Sequence, residues 1–335
     1  MPGSLVIQTS FLGDTILTTP LLVQLSRRGA VDVVTTPASA ALLANHPAIR
    51  RVIVYDKRGA DRGFGGFLAL ARTLAKEQYE VALLAQGSWR SSALALVAGI
   101  PSRIGFSTSS GRLFYTKRVA YRDDLHHAAR LLMLARPNGR EPAPDELCPS
   151  LFPGPDDVAR VDALLAMHDV GATDKLIALA PGSVWATKRW PYYAELAGEL
   201  AGDARIAIIG GADDADLTAK ILAAVPNTID ATGTLTLLAS AELIRRAAVI
   251  VTNDSSPLHL ASAMGTPTVA IFGPTVPAFG FGPLGPRSVV AGHDGLSCRP
   301  CDRHGPQVCP LGHFRCMLEQ DATSIARTTR GVLAG

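Results

Sequence analysis

Short runs of Val, Ile and Leu recur along the chain and alternate with longer stretches whose apolar residues return every three or four positions. In the first half, LVIQT (5–9), VDVVT (31–35), RVIVY (51–55) and VALLA (81–85) are continuously apolar rather than alternating. That pattern predicts strands buried on both faces of a parallel sheet. DTILTTPLLVQLSRR and GFLALARTLAKEQ, lying between them, carry helical spacing. The alternation restarts further on. LIALA (176–180), RIAIIG (205–210), AVIVT (248–252) and TVAIF (268–272) predict strands. YYAELAGELA, ADLTAKILAAV, TLLASAELIRRA, SPLHLASAM and TSIARTTRGVLA predict helices.

Residues 136–156 interrupt the pattern with six prolines and little periodicity, which marks a linker. The expected organisation is therefore α/β: two Rossmann-like, doubly wound domains, 1–150 and 151–335. Two such sheets with facing carboxyl ends would leave a cleft, where ligands of open α/β sheets bind.

Composition narrows the class. A length of 335 residues suits two domains, and 47% hydrophobic against 18% charged residues supplies two cores. A net charge of +3 is too mild for a nucleic-acid protein. No apolar run reaches the roughly 18 residues of a membrane span, and MPGSLVIQTSFLGD lacks the basic and apolar regions of a signal peptide. The expectation is a cytoplasmic protein whose five cysteines are reduced or metal-bound rather than disulfide-linked.

Three polar stretches stand at predicted strand ends. In FLGDTILTTP (11–20), Gly13 is expected to make a tight turn before a helix starting near Asp14. Asp14 there is either a helix N-cap or a carboxylate that takes a proton from an acceptor hydroxyl. No G-x-G-x-x-G follows, so this is not a dinucleotide fingerprint. PGSVWATKRWP (181–191) gathers Ser183, Thr187, Lys188 and Arg189 in one loop, a set that suits a phosphate; the alternative is a solvated surface lysine. In TNDSSPLHLASAMGTPTVAIFGPT (252–275), Asp254, Ser255 and Ser256 meet a helix start. They cap the helix, or its free amides and dipole hold an anion. His259 follows as a further ligand contact or an interior histidine, and GPT (273–275) ends the neighbouring strand.

Two groups remain. Cys298, Cys301, Cys309 and Cys316 are spaced C-x2-C-x7-C-x6-C, with His304 and His313 among them. This loop, 298–316, is a structural metal site or a set of thiols, and the spacing matches no standard zinc ribbon. Lys57, Arg58 and Arg62 follow the third strand; Arg103, Arg112, Lys117 and Arg118 come later. All are expected on the carboxyl side of the first sheet, as solvated charge or as contacts to an acidic acceptor such as a phosphorylated sugar. His126 and His127 open a helix nearby.

Together, FLGDTILTTP, PGSVWATKRWP, TNDSSPLHLASAMGTPTVAIFGPT and CRPC…CPLGHFRCM resemble the glycosyltransferase family 9 heptosyltransferases, most closely the ADP-heptose:lipopolysaccharide heptosyltransferase II group. The resemblance runs from about residue 4 to about residue 330. It implies a GT-B fold, with an N-terminal acceptor-binding domain and a C-terminal nucleotide-sugar-binding domain. It also implies inverting, metal-independent transfer of heptose from ADP-heptose to the lipopolysaccharide inner core, with no cofactor. The general base falls on Asp14, and the diphosphate contact on Lys188 with Thr187 beside it. The ADP-heptose motif falls on Asp254, Ser255, Ser256 and His259, with Ser256 standing where many relatives have glycine. The basic loops would meet the acceptor at the inner face of the membrane. A GT-B transferase for another nucleotide sugar, or a non-catalytic sugar-nucleotide binder, fits the same residues.

Overall fold

A computed structural model describes residues 3–136, 139–171 and 173–335. The chain divides into two compact units, the first ending at Phe152 and the second beginning at Pro153.

Six parallel strands build the first unit: β1 (Ser4–Gln8), β2 (Val31–Thr35), β3 (Arg51–Val54), β4 (Val81–Leu84), β5 (Ser102–Phe106) and β6 (Lys117–Val119). They lie in the order β3-β2-β1-β4-β5-β6, the doubly wound arrangement, whose switch point falls between β1 and β4. β2 is buried along its whole length, and β1 and β4 are buried beyond their first residues, because helices cover both faces. On one face Phe67, Leu70 and Leu74 of helix Gly63–Lys76 and Leu94 of helix Trp89–Val97 pack on Leu5, Ile7, Val34 and Leu84. Helix Leu12–Ser26 buries Ile16, Leu17, Leu21 and Leu22 completely and packs against helix His127–Met133.

The second unit repeats the plan with β7 (Leu176–Ala180), β8 (Arg205–Ile208), β9 (Ile229–Asp230), β10 (Val249–Asn253), β11 (Thr268–Phe272) and β12 (Val289–Gly292). Their order, β12-β11-β10-β7-β8-β9, is the same topology, with its switch point between β7 and β10. Ile177, Leu179, Val249, Val251, Val269 and Ile271 form the sheet side of a core completed by Trp190, Leu196, Leu200, Ile325 and Met317. Helix Ser256–Met264 stops at Gly265, whose φ of 70° is the left-handed cap that glycine adopts without penalty.

The eight anticipated strands are present within one or two residues of their expected ends. Four strands, β5, β6, β9 and β12, the last three at sheet edges, were not anticipated, nor were helices Pro37–Leu43 and Pro155–Met167. The linker expectation partly covers residues 137–138, outside the described residues; nearby, Pro144–Leu147 forms a short 3-10 turn. Among the described residues, no helix is long and apolar enough to cross a membrane.

Candidate functional site

In the second unit, the carboxyl ends of β7, β10 and β11 converge on one ion pair. Lys188 Nζ donates to Asp254 Oδ2 at 2.6 Å, and Thr275 Oγ1 donates to the same oxygen at 2.7 Å. Both charged side chains are only 10% exposed, so Lys188 is not a solvated surface lysine. Asp254 does not cap the helix either; its carboxylate is taken up by Lys188 and Thr275. The N-cap position belongs to Ser255, which makes no capping side-chain bond, and Ser256 is the first helical residue. The Ser255 hydroxyl is buried with no hydrogen-bond partner among the described residues. A buried orphan hydroxyl beside the unpaired amides of a helix start is a place for an anion's oxygens. His259 is buried one turn on, its ring edge-on to Phe281 at 6.2 Å.

The loop carrying Lys188 is held by residues that sequence reading overlooked. Asn253, the fully buried last residue of β10, donates from Nδ2 to the Pro181 carbonyl at 2.8 Å. Its Oδ1 accepts from the Trp190 amide at 3.2 Å and the Tyr193 hydroxyl at 3.3 Å. The available signal was an asparagine ending an otherwise apolar strand. Ser183 Oγ accepts from the Trp185 amide, so it shapes the turn, and the Thr187 hydroxyl donates to the Pro306 carbonyl.

That last contact brings in the cysteine loop. Gln307 accepts from the Ala186 amide at 3.0 Å and donates to the Val184 carbonyl at 3.1 Å, while His304 stacks on Trp185. Gly305, at φ +82°, lies against the Lys188 stem, where an added Cβ would come within 3.3 Å of Cε. Arg299 bonds the carbonyls of Phe272, Gly273 and Thr275 at the end of β11. The loop therefore braces the turn that carries Lys188 and the end of β11. Its cysteines are free thiols, with Cys298 Sγ 3.9 Å from His313 Nε2. Among the described residues, no three His, Cys, Asp or Glu side chains are grouped as metal ligands. Burial pushes the Cys316 thiol up to about 11. Cys309 is lowered: against burial, backbone N–H groups of residues 311–314 stabilise its thiolate.

In the first unit, Asp14 stands in the first turn of helix Leu12–Ser26, at the end of β1. Phe11 holds the N-cap position and Gly13 lies inside the helix, so the expected turn at Gly13 and the capping role for Asp14 are both corrected. Asp14 is 20% exposed. Ser10 Oγ lies 2.7 Å from Asp14 Oδ2 and 2.7 Å from Gln8 Oε1. One hydroxyl proton cannot serve both acceptors at once. His127 Nε2 is 3.6 Å from Asp14 Oδ1.

Lys57 reaches the same strand end, donating to the Thr9 carbonyl at 2.8 Å and to its hydroxyl at 3.2 Å. Burial, then the charges of Arg58 and Arg90, lower the Lys57 ammonium below the usual lysine range. Arg58 and Arg62 are exposed, and Arg62 holds the N-cap position of helix Gly63–Lys76. Arg90, which sequence reading passed over, bonds the Tyr55 hydroxyl at 2.7 Å. The later basic group is corrected. Arg103 is the second residue of β5, and Lys117 and Arg118 lie in edge strand β6 opposite Ile104 and Gly105, so these three do not lie beyond a carboxyl end; Arg112 follows β5 in the turn Arg112–Phe114. Arg103 instead bonds the carbonyls of Ile100 and Phe114.

Solved structures share this architecture. The glycosyl transferase family 9 protein of Veillonella parvula aligns over 99% of this chain and 97% of its own, with a TM-score of 0.86 and 24% identity. The ADP-heptose LPS heptosyltransferase II of E. coli aligns over 100% and 99%, with a TM-score of 0.80 and 24% identity. In sequence, lipopolysaccharide heptosyltransferase 2 of Salmonella typhimurium is 29% identical over 294 residues, 82% of this chain and 84% of that protein. The fold is that of the GT-B class of glycosyltransferases. The model of the family described as glycosyltransferase family 9 (heptosyltransferase) matches residues 67–310, and the chain belongs to that family.

Proposed function

We propose that this protein transfers heptose, with inversion, from ADP-heptose to the inner core of lipopolysaccharide. The unit that begins at Pro153 takes the donor, and the unit that ends at Phe152 takes the acceptor. The observation that carries the reading is the buried Lys188–Asp254–Thr275 cluster beside the start of helix Ser256–Met264. A fixed cation and first-turn amides stabilise the charge that develops on a departing diphosphate, which lets the step run without a metal. The names of the relatives, lipopolysaccharide and lipooligosaccharide heptosyltransferases, support heptose as the sugar and lipopolysaccharide core as the acceptor.

The step is a single displacement. Asp14 takes the acceptor's hydroxyl proton as its oxygen attacks the anomeric carbon, and the bond to the diphosphate breaks on the opposite face. A protonated Asp14 donates to Ser10, whose own hydroxyl then turns to Gln8, so both 2.7 Å contacts are satisfied in the product state. Lys188 and the amides near Ser255 and Ser256 hold the leaving ADP, with Ser183, Thr187 and His259 shaping that pocket. Lys57, Arg58 and Arg62 offer positive charge to a phosphorylated or carboxylated core sugar. Work at the inner face of the cytoplasmic membrane follows from a lipid-linked acceptor.

Asp14→Asn tests the reading. Transfer should fall by about 10²-fold or more, the range of general-base catalysis, while ADP still raises the melting temperature. In a panel of nucleotide sugars, ADP-heptose should give the largest thermal shift. An equal response to every nucleoside diphosphate removes the donor assignment, and full turnover by D14N removes the base.

A further inference from the structure

We infer that His127 is a positioning residue for the reaction: from its Nε2 it orients the Asp14 carboxylate without accepting the proton that Asp14 takes. This rests on Asp14 being the base. The inference begins with the two sides of that carboxylate. Oδ2 faces Ser10 Oγ at 2.7 Å, and Oδ1 faces His127 Nε2 at 3.6 Å. Each oxygen thus has its own neighbour, one from the end of β1 and one from a helix more than a hundred residues later. The 3.6 Å separation is too long for a hydrogen bond, and such contacts commonly tighten when substrate binds.

His127 is well placed to hold a fixed direction. It is the first residue of helix His127–Met133, which packs on the helix bearing Asp14. His126 fixes that helix start by accepting the Ala128 amide at 3.2 Å on its side chain. The His127 side chain is only 11% exposed. Because a carboxylate only accepts, the ring nitrogen facing it carries the hydrogen.

The surroundings also keep the ring uncharged. Burial is the largest influence, and it opposes protonation; Asp14 favours the cation, and Arg130 opposes it again. Arg130 is a buried guanidinium one turn along the same helix. Among the described residues its hydrogen bonds go to the Arg122 and Asp123 carbonyls and the Tyr121 hydroxyl, so its charge has no bonded carboxylate there. A neutral ring donates to Asp14 and leaves it basic. An imidazolium would form an ion pair with Asp14 and weaken it as a base.

The test compares steady-state transfer from ADP-heptose to a lipopolysaccharide core acceptor by the wild type, D14N, H127A, H127M and H127Q, with a melting curve for each. Losing the donor at position 127 in H127A or H127M should lower kcat by about 10- to 100-fold and leave KM for ADP-heptose within about threefold. H127Q, whose amide N–H can reach the same oxygen, should recover kcat to within about fivefold of wild type. A purely structural role would lower the melting temperature and would follow side-chain volume, so H127M would then match H127Q. Wild-type kcat in H127M, or equal loss in H127Q and H127M at unchanged melting temperature, overturns the inference. If instead D14N turns over normally, the base assignment itself has failed, a result that the His127 variants cannot produce.

Discussion

At residue scale, the pairing of Lys188 with Asp254 sets the character of the site. A lysine with 10% of its side chain exposed sits 2.6 Å from a carboxylate that is equally enclosed. Removing one member strands the other, which costs about 3 kcal/mol or more, whereas removing both is often close to neutral. Lys188→Met should therefore lower the melting temperature by about 10 °C, since each kcal/mol moves a unit of this size by a few degrees. The double variant K188M/D254N should regain most of that stability. Transfer should be lost in both, because neither retains a cation for the leaving diphosphate. Calorimetry beside a transfer assay separates the two effects, and a double variant that recovers activity would remove Lys188 from the chemistry. Lys188 and Asp254 were readable as candidates from their loops. Their mutual pairing was not, because no sequence pattern reports which side chains from strand ends 66 positions apart will meet. For the same reason His127 registered only as a helix opening. Its distance from Asp14 is a product of helix packing.

At the scale of elements, burial on both faces decided which strands could be read. β7 and β11 are uninterrupted apolar runs, since every residue meets a helix or the core. β6 and β12, exposed or half-buried throughout, lie at sheet edges; β6 is Lys-Arg-Val, where solvent accepts polar residues and leaves no apolar run, and β12 is a run of only Val-Val-Ala before Gly292. Small elements also carry titratable groups. His46 follows helix Pro37–Leu43 and ties the end of the first unit back to it: Nε2 lies 3.4 Å from Ser150 Oγ, Asn45 bonds the Phe152 carbonyl, and the ring stands edge-on to Phe152 at 5.0 Å. Burial lowers His46 from the usual 6.5 to about 4. The unfolded chain then binds the proton more tightly than the folded one. The contribution of His46 is complete above pH 6.5 and is lost as the pH falls toward 4, by at most about 3 kcal/mol. Chemical denaturation at pH 7 and pH 4.5 should show this loss. His46→Asn keeps an acceptor for the Ala48 amide and should flatten the slope over that window; an unchanged slope would place the acid sensitivity elsewhere.

At the scale of the whole molecule, the two units have separate cores, and this makes the division of labour testable by cutting the chain. The second core runs from Ile177 to Val332 and includes no residue before Pro153. Helix Pro155–Met167 belongs with it: Asp157 accepts from Thr236 Oγ1 at 2.7 Å, and Asp162 pairs with Arg246 at 2.8 Å. Val161, Leu164 and Leu165 are buried on the same helix. A fragment of residues 153–335 should therefore fold alone, and one beginning at 170 should lose the cover on that face and aggregate or melt early. The Lys188 cluster, its Asn253 support and its bracing cysteine loop all lie within 153–335, so this fragment should retain ADP binding. At 100 times the dissociation constant, ADP adds about 2.7 kcal/mol to the folded state, which for a unit of this size amounts to roughly 5–10 °C. Fragment 1–152 should show no such shift. An ADP response in fragment 1–152, or its absence from a well-folded 153–335, would reverse the assignment of donor to the second unit. Because each fragment is judged by its own melting curve, a failure to bind is read apart from a failure to fold.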